Sequence, residues 1–210
     1  MRWRAACLMG IVAAIGAGRP ACADSLAFTI LKGDDPIGRD VYAIVRDGDK
    51  TTVTVSTETR VKVMFLSFHY LHHRTEEWRD GVLQKFVSQT DDDGTKHSVD
   101  AHRDGVGLVG TADGASRTME GDAIPFTLWK PDLMMRHPFF DIADFSPLKV
   151  VVEDKGPDRV TIGGKSLDAH RFHTSGDFVW DLWIGSDGGL LKAGFRRRGY
   201  PITFLRDFSQ

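Results

Sequence analysis

His69, His72 and His73, followed by Glu76 and Glu77, place five metal-ligating side chains within nine residues. Imidazole and carboxylate together suit zinc or copper. On an extended strand, however, His69 and His73 share one face while His72 points to the other. At most two of them converge without help from elsewhere. His170 and His173 also fall on opposite faces, and neither an HExxH helix nor a paired CxxC accompanies any of these histidines. The cluster reads first as a polar strand end entering a loop, so no metal site is assigned. A metal-dependent enzyme using the His69–His73 region is kept as an alternative.

Three other motifs fail on spacing. Gly163-Gly164-Lys165-Ser166 resembles the end of a phosphate loop, but the full pattern needs glycine where Arg159 stands, and a helix afterwards. Both flanks here read as strand. Asp91-Asp92-Asp93-Gly94 resembles the start of a calcium loop, yet the sixth and twelfth positions are Lys96 and His102 rather than glycine and a carboxylate. No Gly-x-Ser-x-Gly elbow is present to activate a hydroxyl nucleophile. The sequence therefore assigns no catalytic residue and no cofactor, and leans away from an enzyme. Arg196-Arg197-Arg198 could meet an anionic headgroup, or it guards an exposed strand against aggregation.

The aromatic residues offer binding rather than reaction chemistry. The chain carries 13 Phe, 5 Trp and 3 Tyr, and most of them must fill a core. Phe65, Tyr70, Trp129, Phe139, Trp180 and Trp183 are read as candidate liners of a ligand cavity. Trp180 and Trp183 differ by three, so a regular strand sends them to opposite sides.

These residues sit on strands. Asp-Gly occurs at 47–48, 80–81, 93–94, 104–105, 113–114 and 187–188, and this pair tolerates the positive φ that tight hairpins require. Short strands with turn signals at roughly ten-residue spacing indicate a sandwich or barrel. Between the turns, period two predicts a strand over 51–57 with Val53 and Val55 on one face. It predicts one apolar strand from Val61 to His72, a hairpin around Gly163-Gly164, a face shared by Phe178, Trp180, Leu182 and Ile184, and a last strand over 202–205. Helix is scarce: Pro131–Met135 reads as a short helix and small lid ended by Pro138, and Glu76–Phe86 as a second one opposed by Asp80-Gly81.

The N-terminus has a basic start at Arg2 and Arg4, an uncharged apolar run from Ala5 to Gly18, and the small residues Ala21-Cys22-Ala23. That is the order of parts in a secretory signal peptide cleaved after Ala23. The run is shorter than the ~20 residues that span a bilayer, and Arg19 stands where a lipobox needs an apolar residue. Residues 1–23 are thus read as a signal peptide and 24–210 as a single β domain, periplasmic in location. Both cysteines, Cys7 and Cys22, leave with the peptide, so the exported chain forms no disulfide. Three arginines leave as well, moving the formal charge from −2 to about −5, which disfavours nucleic acid as a partner. No other stretch is long enough to cross a membrane.

Several segments resemble an uncharacterised family of exported bacterial β proteins, a domain of unknown function. They are Pro36-Ile37-Gly38, Glu77-Trp78-Arg79-Asp80-Gly81, Thr90-Asp91-Asp92-Asp93-Gly94, Phe126-Thr127-Leu128-Trp129, and Asp181-Leu182-Trp183 with Leu190-Leu191-Lys192. More distantly, the last strand-turn-strand looks like a hairpin of LolA/LolB-type half-barrels. That resemblance implies an acyl-chain ligand held against a curved sheet, although the helix-rich middle of LolA is missing here.

The resulting expectation is a mostly β protein with one antiparallel, strongly curved sheet, a half-barrel or partly closed barrel with one or two short helices. Its expected role is a non-catalytic periplasmic binding protein for a lipid or other hydrophobic small molecule. The alternatives are a structural or interaction module of the cell envelope with a filled core, and the His69–His73 enzyme.

Overall fold

The computed structural model describes residues 22–208 apart from positions 64, 65, 106, 136, 137 and 198. Nearly every element is a strand, and nearly every neighbour in sequence is a neighbour in space. The first eight are β1 (Cys22–Lys32), β2 (Asp35–Asp47), β3 (Lys50–Val63), β4 (Leu66–Arg79), β5 (Val82–Asp92), β6 (Thr95–Asp104), β7 (Gly107–Ala112) and β8 (Ala115–Glu120). A crossing segment follows with β9 (Ile124–Pro125), a 3-10 turn (Pro131–Met135), β10 (Phe139–Phe140) and β11 (Pro147–Leu148). The chain then resumes with β12 (Val150–Ile162), β13 (Lys165–Gly176), β14 (Asp181–Gly185), β15 (Leu190–Arg197) and β16 (Tyr200–Asp207).

Thirteen strands form one antiparallel sheet in the order β12-β13-β14-β15-β16-β1-β2-β3-β4-β5-β6-β7-β8. The last strand thus pairs with the first, Ala27 opposite Asp207, and the two halves of the meander join in the middle of the sheet. All six Asp-Gly pairs fall in its turns. At 80–81 both residues take positive φ (48° and 76°), as a two-residue type I′ hairpin needs. The helix expected over Glu76–Phe86 is accordingly corrected to the β4–β5 hairpin. Gly163-Gly164 is the β12–β13 turn, not a phosphate loop. The single strand expected from Val61 to His72 is two strands: Val63 pairs with Leu66, and the connection at 64 and 65 lies outside the described residues.

The sheet is open. β12 and β8 are its edges and do not pair, so the half-barrel or partly closed barrel is corrected to a large sheet that is neither closed nor tightly rolled. β12 shields its edge with Glu153, Asp154, Lys155, Pro157 and a bulge at Asp154/Gly156, devices that discourage pairing with another chain. The sheet does bend, since Arg197 on β15 reaches Asp92 on β5 at 2.9 Å. Further bulges lie at Ile30/Leu31, Glu77/Trp78 and Trp183/Ile184. Gly38 belongs to the same geometry, because a Cβ there would collide with the Glu58 carbonyl on β3.

The crossing segment covers the bent face. It carries β9, β10 and β11 as a separate three-stranded sheet, and its side chains fill part of the interior. Phe139, Phe140 and Phe145 are fully buried, with Leu133 and Ile124 beside them. Phe140 meets Phe86 of β5 edge-on at 5.1 Å and Phe145 at 4.9 Å. Each such ring contributes about 1.5–3 kcal/mol by leaving water. Pro131–Met135 is therefore a 3-10 turn seated in the core, and the lid expected of it is corrected to a plug. No helix among the described residues is long and apolar enough to cross a membrane.

Candidate binding cavity

Between the bent sheet and the crossing segment lies a cavity of about 720 Å³, within the usual range for a small-molecule site. One wall is aromatic. Trp180 stacks on Phe195 of β15 at 4.4 Å and on Phe178 at 5.2 Å, and meets Phe204 of β16 at 5.5 Å. Phe126 of the crossing segment closes on Phe178 at 4.2 Å. Ile30, Ile37, Val61, Phe68 and Ile202 continue the lining from the strands.

Trp180 lies in the short β13–β14 connection, and one buried hydroxyl fixes it there. Thr174 Oγ1 donates to the Phe178 carbonyl at 2.8 Å and accepts from the Trp180 backbone N–H at 2.9 Å. The Thr174 N–H donates to the Trp180 carbonyl at 2.8 Å. Gly176 lets the chain pass close by: its φ is +98°, and a Cβ would strike the Lys149 carbonyl.

The inner end is polar and buried. Asp40 is 3% exposed; its Oδ1 accepts from Thr57 at 2.7 Å and its Oδ2 from Tyr42 at 2.8 Å. Arg74 lies beside them, its Nε donating to Glu76 Oε1 at 2.8 Å and its Nη2 to Thr127 at 3.2 Å. Glu76 Oε2 also accepts the indole N–H of Trp78 at 3.0 Å and that of Trp129 at 2.9 Å. Asp40, Tyr42, Thr57 and Arg74 face the cavity, and Glu76 stands behind them. Strand parity explains the set: Asp40 and Tyr42 on β2, Thr57 on β3, and His72, Arg74, Glu76 and Trp78 on β4 all point inward.

Burial raises the Asp40 pKa against the opposing pull of Arg74, Thr57 and Tyr42. Burial also lifts Tyr42 well above its ordinary value, and the adjacent Asp40 adds to it. Tyr70 is pushed up to about 12 for the same first reason. For Arg74 burial opposes the charge, but Glu76, Tyr42 and Asp40 outweigh it and hold the guanidinium protonated. His72 is completely buried, bonds Thr90 through Nδ1 at 2.8 Å, and has no partner at Nε2. Its pKa falls to about 3 through burial, with Arg74 and His73 adding to the effect.

The sequence-derived residues divide sharply. Tyr70 and Trp180 line the cavity. Trp129 stands behind the inner end, tied to Glu76 and edge-on to Trp78 at 5.9 Å. Phe139 is core, packed behind Phe126 at 6.2 Å. Trp183 turns away from the interior, donates to Asp158 at 2.7 Å, and carries Lys192 over its ring at 4.5 Å. Phe65 lies outside the described residues. Asp40, Tyr42, Arg74, Phe126, Phe178 and Phe195 were not anticipated. The parity of Arg74 and Glu76 with Trp78 is the one signal that could have found the inner end. His69, His72 and His73 do not converge: His72 is in the core, and His69 is 3.8 Å from Glu58. Among the described residues no group of three or more His, Cys, Asp or Glu is placed to hold a metal ion.

A family model described as a domain of unknown function, DUF6134, matches residues 28–207. No curated protein matches the chain. A crystal structure of a beta-barrel-like protein of domain of unknown function DUF1849 from Brucella abortus is similar, with 12% identity and a TM-score of 0.62. The match covers 91% of this chain and 98% of that one. At that identity the likeness shows the fold alone.

Proposed function

We propose, from the premise that this chain belongs to the DUF6134 family of unknown function, that it is a non-catalytic binding protein for a hydrophobic or acyl-chain molecule. The observation that carries the reading is the cavity of about 720 Å³ walled by Trp180, Phe178, Phe195, Phe204 and Phe126. A domain with a purely architectural role gains nothing from leaving such space beside its core, because unfilled apolar volume costs stability. The bent sheet beneath the crossing segment supplies the concavity, and the resemblance of the 181–192 hairpin to LolA/LolB-type proteins points to the same ligand class. The signal-peptide pattern, with its cut after Ala23, supports export to the periplasm. There the chain would act as a single domain from residue 24, with a lipid or related small molecule as its partner.

Paired tryptophan substitutions test the reading, with uptake of the fluorescent probe N-phenylnaphthylamine as readout. Trp180→Ala is expected to weaken uptake about tenfold, equivalent to about 1.4 kcal/mol, because it removes the centre of the aromatic stack. Trp183→Ala, on the outer side, is expected to leave uptake within about twofold. Equal losses in the two variants, or no uptake by the native protein, would contradict the proposal.

A further inference from the structure

We infer that the cavity is built for an amphiphile with a cationic head, and that Asp40 is the counter-ion. The inference deepens the binding role proposed above and rests on it.

The inner end holds more negative than positive charge. Glu76 is fully engaged: one oxygen holds Arg74 and the other takes two indole N–H groups. Arg74 thus gives its ion-pair hydrogen bond to Glu76, which does not line the cavity, and reaches Asp40 only through its charge. Asp40 is a second carboxylate in the same buried region; Arg74 attracts it as well, so among the described residues two buried carboxylates share one guanidinium. Each of its oxygens accepts one hydroxyl, whereas a carboxylate oxygen accepts two donors. Acceptor capacity therefore remains on a buried group that lines the cavity. Buried negative charge in excess of its cations is costly, and the cost falls when an opposite charge arrives with donors to share. The burial that lifts the Asp40 pKa reflects the same deficit.

An ammonium head fits this deficit. It brings a positive charge and several N–H donors to a carboxylate with open acceptor positions. At the inner end a carboxylate head would instead meet the like charge of Asp40. Over the whole lining, five aspartates (Asp40, Asp92, Asp93, Asp141, Asp177) face four cations (Lys32, Arg74, Arg196, Arg197). Of these cations Arg74 and Arg197 are already paired, with Glu76 and Asp92. The chamber is thus apolar in its wall and mildly acidic in its polar parts.

A head-group series at constant chain length tests the inference: dodecylamine, dodecanol and dodecanoate, each displacing N-phenylnaphthylamine near neutral pH. The native protein is expected to bind dodecylamine about tenfold more tightly than dodecanoate, with dodecanol between. Asp40→Asn is expected to lower dodecylamine affinity to the level of dodecanol measured on the same variant. If dodecylamine is not the tightest of the three, or if Asp40→Asn keeps the preference, the head-group assignment is overturned and the apolar cavity stands. If none of the three displaces the probe, the binding role itself falls and this inference with it. The native series decides the matter even if Asp40→Asn does not fold.

Discussion

Glu76→Ala destabilises the protein by about 3–5 kcal/mol, the range for removing one partner of a buried ion pair. The side chain is fully buried and satisfies three donors on two elements: Arg74 on β4, Trp78 at the end of the same strand, and Trp129 on the crossing segment. Its loss strands a guanidinium only 3% exposed and two indole N–H groups. Urea unfolding of the native and variant proteins measures the effect. Arg74→Met combined with Glu76→Leu removes both charges and is expected to recover part of the loss, since well-packed apolar pairs replace buried ion pairs at little net cost. The indole donors stay unpaired in the double variant, so recovery is incomplete. A Glu76→Ala loss below about 1 kcal/mol would mean that this network does not tie the crossing segment to the sheet.

Acid sensitivity is the second large effect, and His72 sets its sign. Its pKa is about 3 in the folded protein against 6.5 ordinarily. Between those values the unfolded chain binds a proton that the folded chain refuses, so stability falls as pH falls. The contribution is intact above about pH 6.5 and drains away toward pH 3, on the order of 4–5 kcal/mol in all. Asp40 acts in the opposite direction, because its raised pKa makes the folded protein bind a proton more readily on acidification. Urea midpoints followed from pH 7 to pH 4 should therefore fall steeply in the native protein. His72→Gln, which keeps a hydrogen bond to Thr90 and has no charge to gain, should flatten the curve. Parallel curves for the two proteins would assign the acid loss to other groups.

Hairpins were legible in the sequence because their turns demand a chemistry that residues advertise. Asp80-Gly81, Asp93-Gly94 and Asp113-Gly114 each place both residues at positive φ, and few pairs other than Asp-Gly do so cheaply. The β3–β4 connection carries no such pair: Val63 and Leu66 flank it, and the surrounding run is apolar on both parities. Nothing local distinguishes that run from one continuous strand. The crossing segment was illegible for another reason. Phe126, Phe139, Phe140 and Phe145 follow no period, because they fill a cavity made by strands distant in sequence rather than a face of their own element. The same limit applies to the site. Trp180 was legible by parity with Leu182 and Ile184, and Tyr70 as an aromatic on a half-apolar strand. Asp40 was not, and Arg74 only through its parity with Trp78, since a charge on a strand ordinarily points to water. What turns them inward is a set of partners on β3, β4 and the crossing segment, visible only once the sheet has bent.

The central claim is that the space between sheet and crossing segment is there to be occupied. Native mass spectrometry of tag-free protein purified without detergent puts that claim to its most direct test. The expected result is a mass increment that survives gentle desolvation, is removed by organic extraction, and returns when the extract is added back. Protein that is empty in repeated preparations, and stays empty when its own extract is restored, would contradict it.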